Sequence, residues 1–226
     1  MVRAFLEGYE QGGAPNPCLA CNRTIRWEFL LNHALALGAE SMATGHYARR
    51  REDGQGSFQL LRAFDPKKDQ SYILHLLTQE KLARALFPVG EYAKSEVREL
   101  AARFGLPTAD RAESQDLCFL AGEDYRQFLK RNAPQIGRPG EIVDQAGRVL
   151  GQHQGLAFYT IGQRKGLNLA SSTPLYVIGK DRSSNALVVG IKEELGSREL
   201  HATEVNWIAG RPPEGKLHLE VTLPCH

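Results

Sequence analysis

Between Thr24 and Leu37 the apolar residues Trp27, Leu30, Leu31, Ala34 and Leu35 recur at helical spacing, and Gly38 follows where a helix needs a residue tolerant of left-handed backbone. This pattern predicts a helix over Thr24–Leu37, with Cys21 just ahead of its first turn. Ser41–Gly45 (SMATG) is short and bounded by glycine, which predicts a buried strand ending in a turn. Tyr47–Glu52 and Phe58–Ala63 flank the string DGQG, and Asp-Gly supplies the positive φ of a hairpin turn. Two further helical patterns follow, Gln79–Leu86 behind Thr78 and Ser95–Phe104 closing at Gly105, and a third covers Asp124–Arg131.

From Pro139 the period shortens. Glu141–Val143, Val149–Leu150, Leu175–Gly179 and Ala186–Val189 are short β-like runs separated by DQAG, GQ and DRSSN turns, the density of a small β-barrel or sandwich. Leu217–Thr222 predicts one more strand close to the end of the sequence, in a unit that looks incomplete. The fold class expected is α/β, a helix-rich part followed by a β-rich one.

Composition narrows the options. The 226 residues are 42% hydrophobic and 24% charged, with no apolar run near the roughly 18 residues a membrane span needs and no basic-then-apolar leader at Met1. The expectation is a cytoplasmic protein with no membrane partner. A net charge of +2 does not announce nucleic-acid binding. Arg49–Arg51, Arg62, Lys67, Lys68, Arg164 and Lys165 are nevertheless clustered, as local phosphate-binding patches are and as solvated loops also are.

The four cysteines, Cys18, Cys21, Cys118 and Cys225, are too few and too scattered for a secreted disulfide framework. Cys18 and Cys21 form a C-x-x-C in APNPCLACN (Ala14–Asn22). At the start of a helix, unpaired backbone N–H groups favour the thiolate that nucleophilic or ligand chemistry needs. A closed zinc site needs a second such pair, and none exists, since Cys118 stands alone in SQDLCF and Cys225–His226 is terminal. Three cysteines would still suffice for an iron–sulfur cluster with one iron left open. Thioredoxin-like chemistry is weakened by Pro15 and Pro17, which favour extended or turned backbone. Metal, redox and packing roles all stay open on spacing alone.

Three other strings carry polar chemistry. TGHY (Thr44–Tyr47) puts a glycine and a histidine at the end of a predicted strand, where open α/β sheets bind ligands. KKDQSY (Lys67–Tyr72) bunches cations with amide and hydroxyl donors suited to phosphate and base edges. YTIGQRKG (Tyr159–Gly166) combines an aromatic ring, two cations and two glycines, which suits a nucleic-acid backbone or a structural turn.

Taken in order, NPCLACN, ATGHYAR, KKDQSYIL, LFPVGE, ESQDLCF, GLAFYTIGQRKGL and YVIGKD closely resemble the tRNA-specific 2-thiouridylases, from about Phe5 to Trp207. The resemblance implies a partial PP-loop catalytic domain, like the adenine nucleotide alpha hydrolases, over residues 1–132. A small β-barrel central domain would follow over 133–195, and the start of a second β-barrel over 196–226. It also implies ATP with Mg2+, a tRNA partner and a sulfur-donor protein. In that family ATP adenylates the C2 oxygen of the wobble uridine, and a cysteine persulfide then delivers sulfur. By position, Cys118 matches the persulfide carrier and Cys21 the nucleophile that resolves the exchange, so the two are expected to be able to form a disulfide. Asn16, Pro17 and Cys18 match the segment that touches the target base, and Gly45 matches a nucleotide contact. His46, Lys68, Asp69 and Gln70 match tRNA contacts.

Cys18 stands where some family members carry aspartate, which keeps an iron–sulfur version with Cys18, Cys21 and Cys118 in view. The family's S-G-G-x-D-S phosphate loop does not occur in this sequence, and LPCH (Leu223–His226) replaces the expected continuation into a full barrel. The expectation is a chain truncated at both ends, with weak or no ATP-dependent activity by itself. The alternative is a tRNA-binding or iron–sulfur-binding module without complete catalysis.

Overall fold

The computed structural model describes residues 2–10, 15–110, 117–120, 122–196 and 199–221. In chain order the elements are α1 (Val2–Glu10), α2 (Pro17–Cys21), a π-helical stretch (Asn22–Leu30), α3 (Leu31–Ala36), β1 (Met42–Ala43), β2 (Ala48–Glu52), β3 (Phe58–Arg62), α4 (Gln79–Ala83), β4 (Ala85–Leu86) and α5 (Lys94–Arg103). There follow α6 (Tyr125–Asn132), β5 (Gly140–Val143), β6 (Val149–His153), β7 (Tyr176–Asp181) and β8 (Ala186–Gly190). The α/β class is as the sequence predicts. The described residues divide into two units, one drawn from 18–115 and 203–225, the other from 1–17 and 116–202.

In the first unit, Trp27 and Leu31 reach the core at 0% and 3% exposure, packed with Leu74, Leu77, Leu82 and Ala85. Leu30, expected on the same stripe, is 45% exposed. The cause is the π-helical stretch, where the Leu31 N–H reaches back five residues to the Arg26 carbonyl and so breaks the 3.6-residue phase. Two side chains compete for carbonyls at its start. Asn22 Nδ2 donates to the Cys18 carbonyl at 3.0 Å and Thr24 Oγ1 to the Ala20 carbonyl at 2.8 Å.

β1 pairs in parallel with β4, Met42 opposite Ala85 and Ala43 opposite Leu86. Met42 is half-buried and Ala43 exposed, so the strand predicted as buried lies at the margin of the core. The helix predicted over Gln79–Leu86 stops at Ala83, because Ala85 and Leu86 leave it to form β4. Its start is as expected, Thr78 accepting from the Lys81 N–H at 3.4 Å.

β2 and β3 form the predicted hairpin, Ala48 opposite Arg62 through Glu52 opposite Phe58. The turn works differently from the Asp-Gly expectation. Asp53 Oδ1 accepts from the Gln55 and Ser57 N–H groups at 2.8 and 2.9 Å, and the positive φ of 79° falls on Gly56. Below the hairpin, Gln79 Nε2 donates to the Phe58 and Ile208 carbonyls at 2.7 and 2.6 Å. Asn206 Nδ2 donates to the His75 and Leu77 carbonyls at 2.7 and 3.0 Å, so residues 206–208 are tied to this unit.

The strand predicted over Leu217–Thr222 does not form over 217–221, and Thr222 lies outside the described residues. Leu217, Leu219 and Val221 are 47%, 66% and 65% exposed, because no described strand pairs beside them.

The second unit is built on a four-stranded sheet of order β6-β5-β8-β7, antiparallel except for the β5–β8 pair. Ile142, Val177, Leu187 and Val189, all at 0% exposure, form one side of its core. α6 is capped by Asp124, whose Oδ1 accepts from the Arg126 and Gln127 N–H groups at 2.9 and 3.2 Å. α1, absent from the sequence prediction, inserts Phe5 against Phe119 and Phe128 with ring centroids 5.1 and 6.3 Å away.

The string read as a GQ turn, Gly151–Gln152, lies inside β6. A Cβ on Gly151 would come within 2.7 Å of a Leu169 methyl group, which that flexible side chain can move aside. At the end of β6, His153 is 1% exposed; its Nε2 donates to the Asn185 carbonyl at 3.0 Å and its Nδ1 accepts from the Gly155 N–H at 2.9 Å. Burial lowers its pKa, the bond to Asn185 opposing in part. No helix among the described residues is long and apolar enough to cross a membrane.

Candidate functional site

Cys21 is the last residue of α2, directly before the π-helical stretch. The helix therefore begins at Pro17, seven residues before the start at Thr24 that the periodicity implies. Pro17 suits a first helical position because its missing N–H would have no intrahelical partner there. Cys21 ends α2 instead of standing at its first turn, so the helix-start argument for activating Cys21 does not apply in this structure. Cys21 is half-buried and Cys18 exposed. Ala14 of the opening motif lies outside the described residues, while Asn16 is half-buried and Pro17 buried.

At the C-terminal end of β1, Thr44, Gly45 and His46 follow in sequence. Gly45 is exposed, and a Cβ built on it would meet nothing within 4 Å. Its φ is not among the positive ones, so neither packing nor backbone requires glycine at this position. His46 is 4% exposed and engaged at both ring nitrogens. Arg26 Nη1 lies 3.0 Å from His46 Nε2, and Thr44 Oγ1 lies 2.8 Å from His46 Nδ1.

A guanidinium only donates, so Nε2 is the acceptor; in the neutral ring Nδ1 then carries the proton and donates to Thr44. Burial, with the adjacent Arg26 charge second, lowers the pKa of His46 to about 4. The exposed residue of this pair is Arg26. Nothing in the sequence pattern singled it out, because the pairing joins a helix to a loop 20 residues on.

In the KKDQSY segment, Asp69 Oδ1 accepts from the Ala63 N–H at 2.9 Å and the Ser71 N–H at 3.3 Å, and Oδ2 from Ser71 Oγ at 2.8 Å. Gln70 exchanges two bonds with Tyr47, its N–H donating to the Tyr47 carbonyl at 2.8 Å and its Oε1 accepting from the Tyr47 N–H at 3.1 Å. Asp69 and Gln70 thus shape the loop that presents exposed Lys67 and half-buried Lys68. They also fasten it to the backbone beside His46.

Cys118 belongs to the other unit. It is exposed, whereas Leu117, Phe119 and Leu120 on either side pack into that unit's core. The turn is closed by the Leu120 N–H bond to the Leu117 carbonyl at 2.9 Å, and the Phe119 ring packs tilted against Phe128 with centroids 5.5 Å apart. The thiol is therefore displayed on a fixed apolar base. Glu113–Asp116 of the same motif lie outside the described residues.

No disulfide is present among the described residues, and Cys21 and Cys118 are both thiols. Cys225 and His226 lie outside the described residues. No group of three His, Cys, Asp or Glu side chains among the described residues is placed to hold a metal ion, so the iron–sulfur reading through Cys18, Cys21 and Cys118 gains no structural support.

Residues 1–122 match the family model described as the tRNA methyl transferase HUP domain, and residues 126–191 that of the tRNA methyl transferase PRC-barrel domain. The chain is 48% identical over 226 residues to the tRNA-specific 2-thiouridylase MnmA of Chloroflexus aggregans, covering 100% of this chain and 63% of the relative. It is 52% identical over 217 residues to that of Moorella thermoacetica, covering 96% and 61%. With that of Magnetococcus marinus it shares 49% over 213 residues, covering 94% and 60%. The chain thus spans about three fifths of the length of these relatives. With a HUP-domain match over more than half of its length, a PRC-barrel match behind it and relatives of one name along the whole chain, the chain belongs to the tRNA-specific 2-thiouridylase family.

Proposed function

We propose that this chain serves a tRNA-uridine 2-sulfurtransferase, replacing the C2 oxygen of the wobble uridine with sulfur. The observation that carries the reading is Cys118, an exposed thiol between side chains fixed in a core. A persulfide carrier needs both properties, since the terminal sulfur has to reach a donor protein and then a base without its support moving.

ATP, when bound, supplies the adenylyl group that turns the C2 oxygen into a leaving group. Gly45 fits a nucleotide contact, because the open space over its α-carbon is not required by the fold and lies at the C-terminal end of a parallel strand. Mg2+ belongs with the nucleotide's phosphates in this reading.

Asn16, Pro17 and Cys18 lie beside the target base. Lys68, shaped by Asp69 and Gln70, contacts the tRNA, and His46 contributes through the guanidinium it holds. The terminal persulfide sulfur on Cys118 bonds to C2 as the adenylated oxygen departs with AMP. The Cys21 thiolate then attacks the Cys118 sulfur, the S–S electrons pass to the sulfur on the base, and a Cys21–Cys118 disulfide remains for an external thiol to reduce.

The test is a chimera in which these 226 residues replace the matching segment of the Moorella thermoacetica relative. With tRNA, ATP and a persulfide donor it is expected to form 2-thiouridine, read by nucleoside mass spectrometry. Cys118→Ser is expected to abolish the product, and Cys21→Ser to stall turnover with sulfur still on Cys118. Thiolation surviving Cys118→Ser would overturn the reading.

A further inference from the structure

The loop of residues 160–166 in the second unit is held in shape by its own glutamine. Gln163 Oε1 accepts from the Thr160 N–H at 3.0 Å and its Nε2 donates to the Lys165 carbonyl at 2.8 Å. The backbone adds a reciprocal pair to β7, the Gly162 N–H to the Val177 carbonyl at 2.8 Å and the Val177 N–H to the Gln163 carbonyl at 2.9 Å. Tyr159 and Leu167, at 8% and 6% exposure, anchor the two ends. Gly162 and Gly166 take φ of 86° and 79°, conformations that other residues seldom adopt.

This shaping displays two cations. Arg164 and Lys165 are both exposed, and neither forms an ion pair with a carboxylate among the described residues. Arg164 lines a cleft of about 310 Å3 whose other polar side chains are Asn168, Ser171, Ser172 and Thr173. No carboxylate lines it. A guanidinium, hydroxyls and an amide without an acid make a composition for an anion, and the forked guanidinium matches phosphate oxygens. Ser171–Pro174 are exposed, so the cleft opens to solvent along its rim and suits a passing polymer backbone better than an enclosed small molecule.

We propose that the Gln163-braced loop, through Arg164 and Lys165, holds backbone phosphates of the tRNA. This rests on the tRNA reading above and adds a contact outside the residues that the family resemblance assigns to tRNA. The test is fluorescence anisotropy of the full chain with labelled tRNA across a series of salt concentrations. For Arg164→Ala with Lys165→Ala the affinity is expected to fall roughly tenfold, and the slope of log K against log salt to flatten by about 0.7 to 0.9 per lost contact. The charge-preserving pair Arg164→Lys with Lys165→Arg should keep the slope. Gln163→Ala, which keeps both charges but frees the loop, should weaken binding while retaining most of it.

Wild-type binding left unchanged in affinity and slope by the double alanine variant overturns the loop's role and leaves the tRNA reading standing. A wild-type chain that binds no tRNA overturns both. Displacement of tRNA by inorganic phosphate at constant ionic strength, with the double alanine variant still binding tRNA as tightly, makes the cleft a small-anion site and also overturns the proposal.

Discussion

Arg26 Nη1 donates to His46 Nε2 across 3.0 Å, joining the π-helical stretch to the loop that follows β1. The bond requires a neutral imidazole, and protonating it would set two cations against each other in a buried place. With its pKa lowered from 6.5 to about 4, His46 favours folding most above pH 6.5. As pH falls from there, the unfolded chain binds a proton the folded chain refuses, and stability is lost until the folded pKa is passed. His46→Asn is expected to flatten this loss between about pH 6.5 and 4, measured as the difference in denaturation midpoint between variant and wild type. His153, also lowered by burial, contributes to both proteins and cancels in the difference.

Gly45 separates fold from function. Because a Cβ there meets nothing within 4 Å and the φ is not positive, Gly45→Ala should shift stability by no more than about 0.5 kcal/mol. If a nucleotide lies against that α-carbon, the added methyl occupies its place, at a cost of about 1 to 3 kcal/mol, roughly five- to 150-fold in affinity. Equilibrium binding of ATP to the chimera, beside a melt of the same samples, checks both halves. Unchanged ATP affinity would remove Gly45 from the nucleotide site.

Asp69 gives the opposite expectation. Its carboxylate accepts from two backbone N–H groups and a hydroxyl, and without it the Ala63 and Ser71 donors lose their partners. Asp69→Ala should destabilise the first unit by about 1 to 3 kcal/mol, measured by urea denaturation. A weakened tRNA interaction in this variant would follow from the displaced loop, and Lys68→Ala, which should weaken binding with little change in stability, separates the two effects.

The first helix shows what was legible in the sequence and what was not. Trp27 and Leu31 announced it, since large apolar residues four apart have a helical cause. Its start at Pro17 and its π-helical middle depend on where Asn22 and Thr24 send their side chains, and apolar periodicity is blind to that. Turns were readable where an Asp led them, as at Asp53, although the residue with positive φ was Gly56 rather than Gly54. The candidate thiols were visible as residue types, and the resemblance supplied their roles. Contacts across the chain left no local trace: Arg26 on His46, Asn206 under the His75 carbonyl, and Phe5 against Phe119. Leu217–Val221 had the pattern of a strand, but pattern alone cannot make one without a neighbour to bond.

Gly90, the glycine of LFPVGE, is the position where the fold tolerates least. It is buried, its N–H donates to the Phe87 carbonyl at 3.0 Å and its carbonyl accepts from the Phe64 N–H at 2.9 Å, so the backbone is fastened on both sides. A Cβ on it would collide with the carbonyl of Ala48, a residue at 0% exposure in β2. No flexible side chain stands there to move aside; relief requires shifting the hairpin of β2 and β3 or the loop itself. Gly90→Ala should therefore cost about 3 kcal/mol or more, at the upper end of overpacking substitutions, although alanine has the better conformational entropy. Because Ala48 lies two residues after His46, the shift should also disturb the Arg26–His46 pair. The pH dependence of unfolding between about 6.5 and 4 is then expected to shrink in Gly90→Ala as it does in His46→Asn, which a titrated melt of both variants would measure together.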